Sequence, residues 1–379
     1  MDRFYNPVET YFGIGAMEHL SAIIHADQQT IDNILLITRG GDFNQTAEYG
    51  RLMLQLDQKQ IFTYEVNIAN PDVTDLFALL QATAAIAFDV VIAVGGGSVL
   101  DLGKSIAGFR GLHFKHVEEL REAIHSRAYL TNKQICRWIA LPTTAGTGSE
   151  VTPWATIWDK SCDLKYSVDG SSLFAWAAII DPLLTLSLPI RTSVISGLDA
   201  ICHATEAYWS KNTNEVSRQY ALRAIRGLVS NLAKLPVEPH NLEVRKEVAL
   251  GSFMAGLAFS NTRTKACHSI SYPITLLYGI EHGLAASMTL GKMMQWNEEK
   301  LIEKEQLLTA FGAASIEEVA AVIDQIYKKA GFARRLRDYD VPLDGLAQIV
   351  DKAYTKGRMD NNPKQIEKEE LYELLLSVY

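Results

Sequence analysis

Five short apolar runs punctuate the first half of this chain: NILLIT from Asn33, IFTYEV from Ile61, VVIAV from Val90, CRWIAL from Cys136 and AAIID from Ala177. Between them lie amphipathic stretches such as TDLFALLQATAAI. Runs of this length that do not alternate with polar residues are the mark of strands covered on both faces, and such strands belong to parallel sheets joined by crossover helices. The first half is therefore expected to be a doubly wound α/β domain with a mostly parallel sheet. Near the start, FYNPVETYF reads as two short strands around Asn6-Pro7, set apart from the βα alternation.

After Asp181-Pro182 the period changes. Long stretches with 3.6-residue spacing follow one another with almost no strand-like run, so the second half is expected to be all-helical. Ser315 followed by Glu318 fits a capping box ahead of VAAVIDQIYKK, and Gly331 supplies the stop. The boundary falls near Pro189, giving an α/β domain over 1–188 and a helical domain over 189–379, expected to pack directly and leave a cleft between them. At 379 residues and 48% hydrophobic content the chain can bury both cores.

Composition excludes several function classes. Lys and Arg number 36 against 44 Asp and Glu, a net charge of −8, which argues against a nucleic-acid backbone binder. Cys136, Cys162, Cys202 and Cys267 form no CxxC pair, so a reduced, cytoplasmic setting is expected. The first residues carry no apolar export segment, and LFAWAAIIDPLLTLSLP is interrupted by Asp181-Pro182, so no membrane span is expected either.

Chemistry concentrates in two places. In VVIAVGGGSVLDLGKSIAG a buried strand runs through Gly95, Gly96, Gly97 and Ser98 into a helix carrying Asp101 and Lys104. Glycines let a ligand approach the backbone, and the N–H groups and dipole at a helix start favour a pyrophosphate. The bland reading is a tight turn needing positive φ. The segment LPTTAGTGSEVT sets Thr143, Thr144, Thr147 and Ser149 around two glycines after another apolar strand, where hydroxyls suit a ribose or phosphate, or merely a polar loop. A rival glycine pair, Gly13 and Gly15, has Glu18 where a third glycine belongs and reads as a turn.

In the helical half, SGLDAICHATEAYW puts Asp199 and His203 four residues apart on one helix face, where a carboxylate and an imidazole can share a divalent ion. Ser196 with Asp199 also fits a capping box, so Asp199 has a structural alternative. His268 in NTRTKACHSISYP and His282 in LLYGIEHGLAAS would complete three imidazoles and one carboxylate, a set suited to Fe²⁺ or Zn²⁺. Cys202 and Cys267 point away from such a site and read as packing residues.

Taken together, GGGSVLDLGKSIA, LPTTAGTGSEVTPWATI, AAIIDPLLTLSLP, SGLDAICHATEAY, GLAFSN and EHGLAASM resemble the iron-containing alcohol dehydrogenase family, in that family's order and along essentially the whole chain. The resemblance implies an NAD(P)(H)-binding α/β domain, a helical metal domain, and hydride transfer between a nicotinamide and a small aldehyde or alcohol. It assigns the metal to Asp199, His203, His268 and His282. It assigns the cofactor to Gly96, Gly97, Ser98, Thr143, Thr144 and Thr147, with Asp101 and Lys165. Related enzymes form dimers, so a homodimer is expected.

Three departures from the family pattern carry information. Ile37-Thr38-Arg39-Gly40-Gly41 stands where many members have an Asp that disfavours a 2′-phosphate, and Arg39 would attract one, so NADP(H) is preferred over NAD(H). Tyr272 occupies the position of the usual second histidine, four residues after His268, and is a reluctant proton donor at a reference pKa near 10. Arg263 and Lys265 replace small residues beside that segment, a pattern that looks like the phosphonoacetaldehyde reductase branch and suits an anionic substrate. The alternatives are a glycerol-dehydrogenase-like zinc enzyme, a dehydroquinate-synthase-like lyase and a non-enzymatic nucleotide sensor.

Overall fold

The computed structural model describes residues 3–26, 30–162, 164–354 and 358–379. The chain divides into two compact units. One comprises Pro7–Thr144 and Ser149–Thr185; the other comprises the residues up to Asn6, Ala145–Gly148 and the stretch from Leu186 on.

The first unit is built on eight strands: β1 (Glu9–Phe12), β2 (Asn33–Arg39), β3 (Gln60–Val66), β4 (Val90–Gly95), β5 (Arg137–Pro142), β6 (Trp154–Asp159), β7 (Leu164–Asp169) and β8 (Ala177–Ile180). Six form a sheet in the order β1-β8-β5-β4-β2-β3, and every pairing in it is parallel. The five apolar runs are five of these strands. β4 and β8 are buried at every residue, which is why their sequences do not alternate. The sheet core includes Ile34, Leu36, Val90, Ile92, Val94, Ile139, Leu141 and Ile179.

β4 lies on the opposite side of β2 from β3, so the order of winding reverses at the β2/β4 pair. In open α/β sheets ligands bind outside the carboxyl ends of strands at such a reversal. The ends there are Arg39 on β2, Gly95 on β4 and Pro142 on β5, with Gly95 in register with Pro142.

Two features differ from the sequence reading. FYNPVETYF yields one strand, Glu9–Phe12, because Pro7 has no N–H to give a ladder; the preceding residues are held by a side chain instead, the Tyr5 N–H donating to Asn261 Oδ1 at 2.8 Å. β6 and β7 form an antiparallel hairpin outside the main sheet. β7 is largely half-exposed and carries charged residues, so it lacks the continuous apolar run that marked the others.

The second unit holds helices from Ile190 onward and no strand among its described residues. Its functional helices are Ile190–Tyr208, Leu242–Thr262, Ala266–Tyr278 and His282–Asn297. Ser315 caps the Ile316–Ala330 helix by accepting from the Glu318 N–H, and Gly331 ends it at φ 72. Lys304–Ala330 has the length and hydropathy of a membrane span, but it is two helices, Lys304–Phe311 and Ile316–Ala330, interrupted at Gly312 with φ 68.

Candidate cofactor and metal sites

At the β4 end, Gly96 caps the helix Gly97–Phe109. Gly95 and Gly96 take negative φ, so positive backbone angles are not the reason for glycine there. Close approach is: a Cβ on Gly95 would stand 2.5 Å from the Val99 Cβ, and one on Gly96 3.1 Å from Thr144 Cγ2. The same openness leaves the first N–H groups of a 13-residue helix for an anion. The Thr143 N–H donates to Gly95 O at 2.9 Å, placing Thr143 beside the loop, and its buried Oγ1 has no hydrogen-bond partner. An orphaned hydroxyl at this point fits a ligand with phosphate or ribose oxygens. Ser98 Oγ accepts from the Asn70 N–H at 3.1 Å, and the Arg39 guanidinium lies 5.1 Å over the Phe43 ring at the end of β2.

The other expected cofactor residues are placed differently. The Asp101 carboxylate accepts from Ser149 Oγ at 2.6 Å and from the Thr156 N–H at 2.8 Å. Beside it the fully buried Lys104 donates to Ser149 O, Ser149 Oγ, Thr152 Oγ1 and Trp154 O. These two charges fasten the 149–156 segment to the helix, and Ser149, Thr156 and Lys104 are the partners the structure gives to Asp101, expected as a cofactor contact. Lys165 is on β7, its ammonium 5.7 Å from the Trp158 ring centre. Thr147 belongs to Ala145–Gly148, grouped with the helical unit.

In that helical unit, Asp199 lies mid-way along Ile190–Tyr208, far from its first residue, so the capping alternative fails. Asp199 Oδ1 is 3.3 Å from His268 Nε2 and 3.7 Å from His282 Nε2. One ligand atom from each of these three residues lies within 4.8 Å of the others, a spacing that suits a single cation. His203 stands beside the trio: its ring stacks between Phe259 at 4.1 Å and His268 at 4.3 Å, with Nδ1 3.8 Å from Asp199 Oδ2.

Each imidazole is oriented through Nδ1. The His203 Nδ1–H donates to Gly146 O at 3.3 Å and that of His268 to Glu206 Oε2 at 2.7 Å. Ser271 Oγ gives its proton to His268 O, so it accepts from the His282 Nδ1–H at 3.2 Å. In the neutral imidazoles that pattern selects one tautomer and leaves each Nε2 as a lone pair for a ligand. His268 Nε2 and Asp199 Oδ1 are both buried without a hydrogen-bond partner. Two acceptors facing each other at 3.3 Å repel unless a positive charge lies between them, so these residues fit a divalent metal.

Electrostatics agree. Burial pushes the Asp199 carboxyl up, but the surrounding His203, His282 and His268 outweigh it and hold the group well below the usual carboxylate range. Burial brings His203 down to about 4, so it is neutral at pH 7. Burial also lowers His268, yet Glu206 and Asp199 outweigh it and raise it to about 9; the same cationic demand is met by a proton or a metal. The buried thiols of Cys202 and Cys267 are raised well above their ordinary value by desolvation, as packing residues should be.

Glu206 was missed by sequence reasoning. It is fully buried and accepts from the Lys265 N–H at 2.7 Å, the Cys267 N–H at 2.6 Å and His268. The signal was its spacing, seven residues after Asp199 and three after His203 on one helix face. Lys265 requires a correction: it is buried, and its ammonium donates to Thr262 O at 2.9 Å and to Arg263 O. The end of Leu242–Thr262 needs donors for its last carbonyls, and Lys265 supplies them. Arg263 is exposed in the same turn, at φ 61. Tyr272 stacks on His282 with ring centres 5.4 Å apart, and its phenol is pushed up by burial against the pull of Arg358.

A nucleotide-type α/β unit together with a buried carboxylate–imidazole site is the combination used by metal- and nicotinamide-dependent enzymes. The description "Iron-containing alcohol dehydrogenase" matches residues 7–182, and "Fe-containing alcohol dehydrogenase family, C-terminal" matches residues 193–379. The chain belongs to the iron-containing alcohol dehydrogenase family and is an oxidoreductase. It is 29% identical to the phosphonoacetaldehyde reductase of Streptomyces viridochromogenes over 310 residues, 79% of this chain and 78% of that one. It is 30% identical to the 1,3-propanediol dehydrogenase of Klebsiella pneumoniae over 75% of this chain and 74% of that one. Among solved structures, the sulfoacetaldehyde reductase of Bifidobacterium kashiwanohense in complex with NAD+ superposes with a TM-score of 0.88 at 27% identity, covering 100% of this chain and 98% of that one.

Proposed function

We propose that this protein reduces a small aldehyde bearing an acidic group, with phosphonoacetaldehyde as the leading candidate, using NADPH in preference to NADH and one divalent metal, Fe²⁺ before Zn²⁺. The observation that carries the reading is the pair of buried acceptors, Asp199 Oδ1 and His268 Nε2, facing one another at 3.3 Å. A divalent cation there supplies Lewis acidity to a carbonyl oxygen, and a nicotinamide supplies the hydride for its carbon. Asp199, His268 and His282 would hold that cation, with His203 beside them. Glu206, Ser271 and Gly146 keep the Nε2 lone pairs turned toward it. Phe259 covers His203 and excludes water from that side.

Gly96, Gly97, Ser98, Thr143 and Thr144 would cradle the dinucleotide at the β4 and β5 ends. Arg39 at the β2 end would favour a 2′-phosphate. Tyr272, with its phenol raised, is a wall of the substrate space rather than a proton relay, and the proton comes from solvent or a ribose hydroxyl. A homodimer through β1, an edge strand of the sheet, fits the same family setting. A steady-state screen of anionic and neutral aldehydes, with NADH and NADPH and with Fe²⁺- and Zn²⁺-loaded protein, tests the reading. Fastest turnover is expected for an anionic aldehyde with NADPH and Fe²⁺, and absence of any nicotinamide oxidation would refute it.

A further inference from the structure

Of the residues at the candidate metal site, His282 is the one least fixed by burial. Its side chain is 27% exposed, against 1% for His268, 7% for His203 and 8% for Asp199. It is also the first residue of the His282–Asn297 helix, where backbone N–H groups have no carbonyl of their own helix to meet. Ser271 and Tyr272, both on the Ala266–Tyr278 helix, orient its ring. The 3.7 Å from its Nε2 to Asp199 Oδ1 depends on something else, the seat of this helix start against Ile190–Tyr208, the helix that carries Asp199.

Arg191, Ile195 and Asp199 follow one another at four-residue intervals on one face of that helix, and each meets the start of the next. Asp199 faces His282. Ile195 O lies so close to Gly283 that a Cβ there would run into it. Arg191 meets Glu281, the N-cap residue, whose side chain caps no N–H of its own helix. Both carboxylate oxygens go to the guanidinium instead: the Arg191 Nε–H donates to Oε1 and an Nη2–H to Oε2, each at 2.8 Å. The Phe332 ring lies 4.9 Å from the guanidinium carbon and holds its plane. At 52% and 44% exposure the pair gains little Coulomb energy, but two parallel hydrogen bonds fix a direction as well as a distance.

We propose that Arg191 and Glu281 are a positioning pair that sets the reach of His282 toward Asp199 and so tunes the affinity of the metal site. This rests on the metal reading above and deepens it by naming what governs the grip of the site. Neither residue touches the cation; both act through His282.

The test is competition between the full-length protein and a chelator for Zn²⁺, a readout that needs no turnover. Arg191→Ala and Glu281→Gln are each expected to weaken Zn²⁺ binding about 3- to 10-fold, and Arg191→Lys, which keeps the charge without the fork, to fall between Arg191→Ala and wild type. The sign separates seat from field. Through the field alone, losing the Arg191 cation would tighten the hold on another cation and losing the Glu281 anion would weaken it, whereas losing a seat weakens both. In a His282→Ala background Arg191→Ala is expected to add nothing, because its effect passes through the missing imidazole. Arg223→Ala cuts another exposed interhelical pair, with Glu247 at 2.8 Å, and should leave Zn²⁺ affinity as in wild type. Unchanged affinity in both single variants, tighter binding in Arg191→Ala, an effect that survives in the His282→Ala background, or an equal loss from Arg223→Ala would overturn the assignment. A wild type that binds neither Zn²⁺ nor Fe²⁺ would instead remove the metal reading beneath it.

Discussion

Lys104 with Asp101 in the α/β unit and Asp199 with His268 in the helical unit are both sets of charged groups taken out of water, and they are finished in opposite ways. Around Lys104 each charged atom meets a matched partner: four acceptors surround the ammonium, and the carboxylate takes Ser149 Oγ and the Thr156 N–H. Around Asp199 two buried acceptors, Asp199 Oδ1 and His268 Nε2, face each other at 3.3 Å without a hydrogen-bond partner. A closed cluster is a structural fastener, whereas an open one of this polarity asks for a cation. Burial and charge alone would have given the two the same role; the accounting of donors and acceptors separates them.

That contrast breaks most visibly at His268. His268→Ala should release the metal and lower turnover by about three orders of magnitude or more, read by elemental analysis and steady-state kinetics on the same sample. Retained metal and normal turnover would place the chemistry elsewhere. Lys104→Met removes the cation of the closed cluster and strands its acceptors, at a cost of about 3–5 kcal/mol in unfolding free energy by denaturant titration. The folded fraction of that variant should still bind one metal, and a loss of metal without loss of stability would merge the two clusters' roles.

Glu206→Gln sharpens the comparison further, because it keeps the shape and removes the charge behind His268. Metal affinity by chelator competition should fall about 10- to 100-fold. An unchanged affinity would make Glu206 a cap for the Lys265 and Cys267 N–H groups alone. The smallest effect is expected from Arg39→Asp, which should move the NADPH:NADH preference by about tenfold toward NADH. An unaltered cofactor ratio would detach Arg39 from the nucleotide.

The parts of this molecule that were legible in its sequence are those whose burial is symmetric. β4 and β8, covered on both faces, wrote themselves as unbroken apolar runs, and the Asp199/His203 spacing declared a helix face. The β6/β7 hairpin did not, because β7 is half-exposed and mixes LKYSVD in no clean period. Lys265 misled because a charge beside a ligand segment gives no sign that its ammonium is turned back onto carbonyls two and three residues away. Glu206 was overlooked for a related reason: its spacing puts it on the same helix face as Asp199 and His203, but what distinguishes it is a partner on another helix, His268, which that spacing does not record.

The central claim is that the opposed acceptors of Asp199 and His268, with His282, hold one divalent cation. The direct measurement is an anomalous difference map at the iron edge from crystals of the protein grown with Fe²⁺. The account predicts one strong peak bounded by Asp199 Oδ1, His268 Nε2 and His282 Nε2. A map without that peak, or with iron bound elsewhere while those three atoms still face one another, would contradict it.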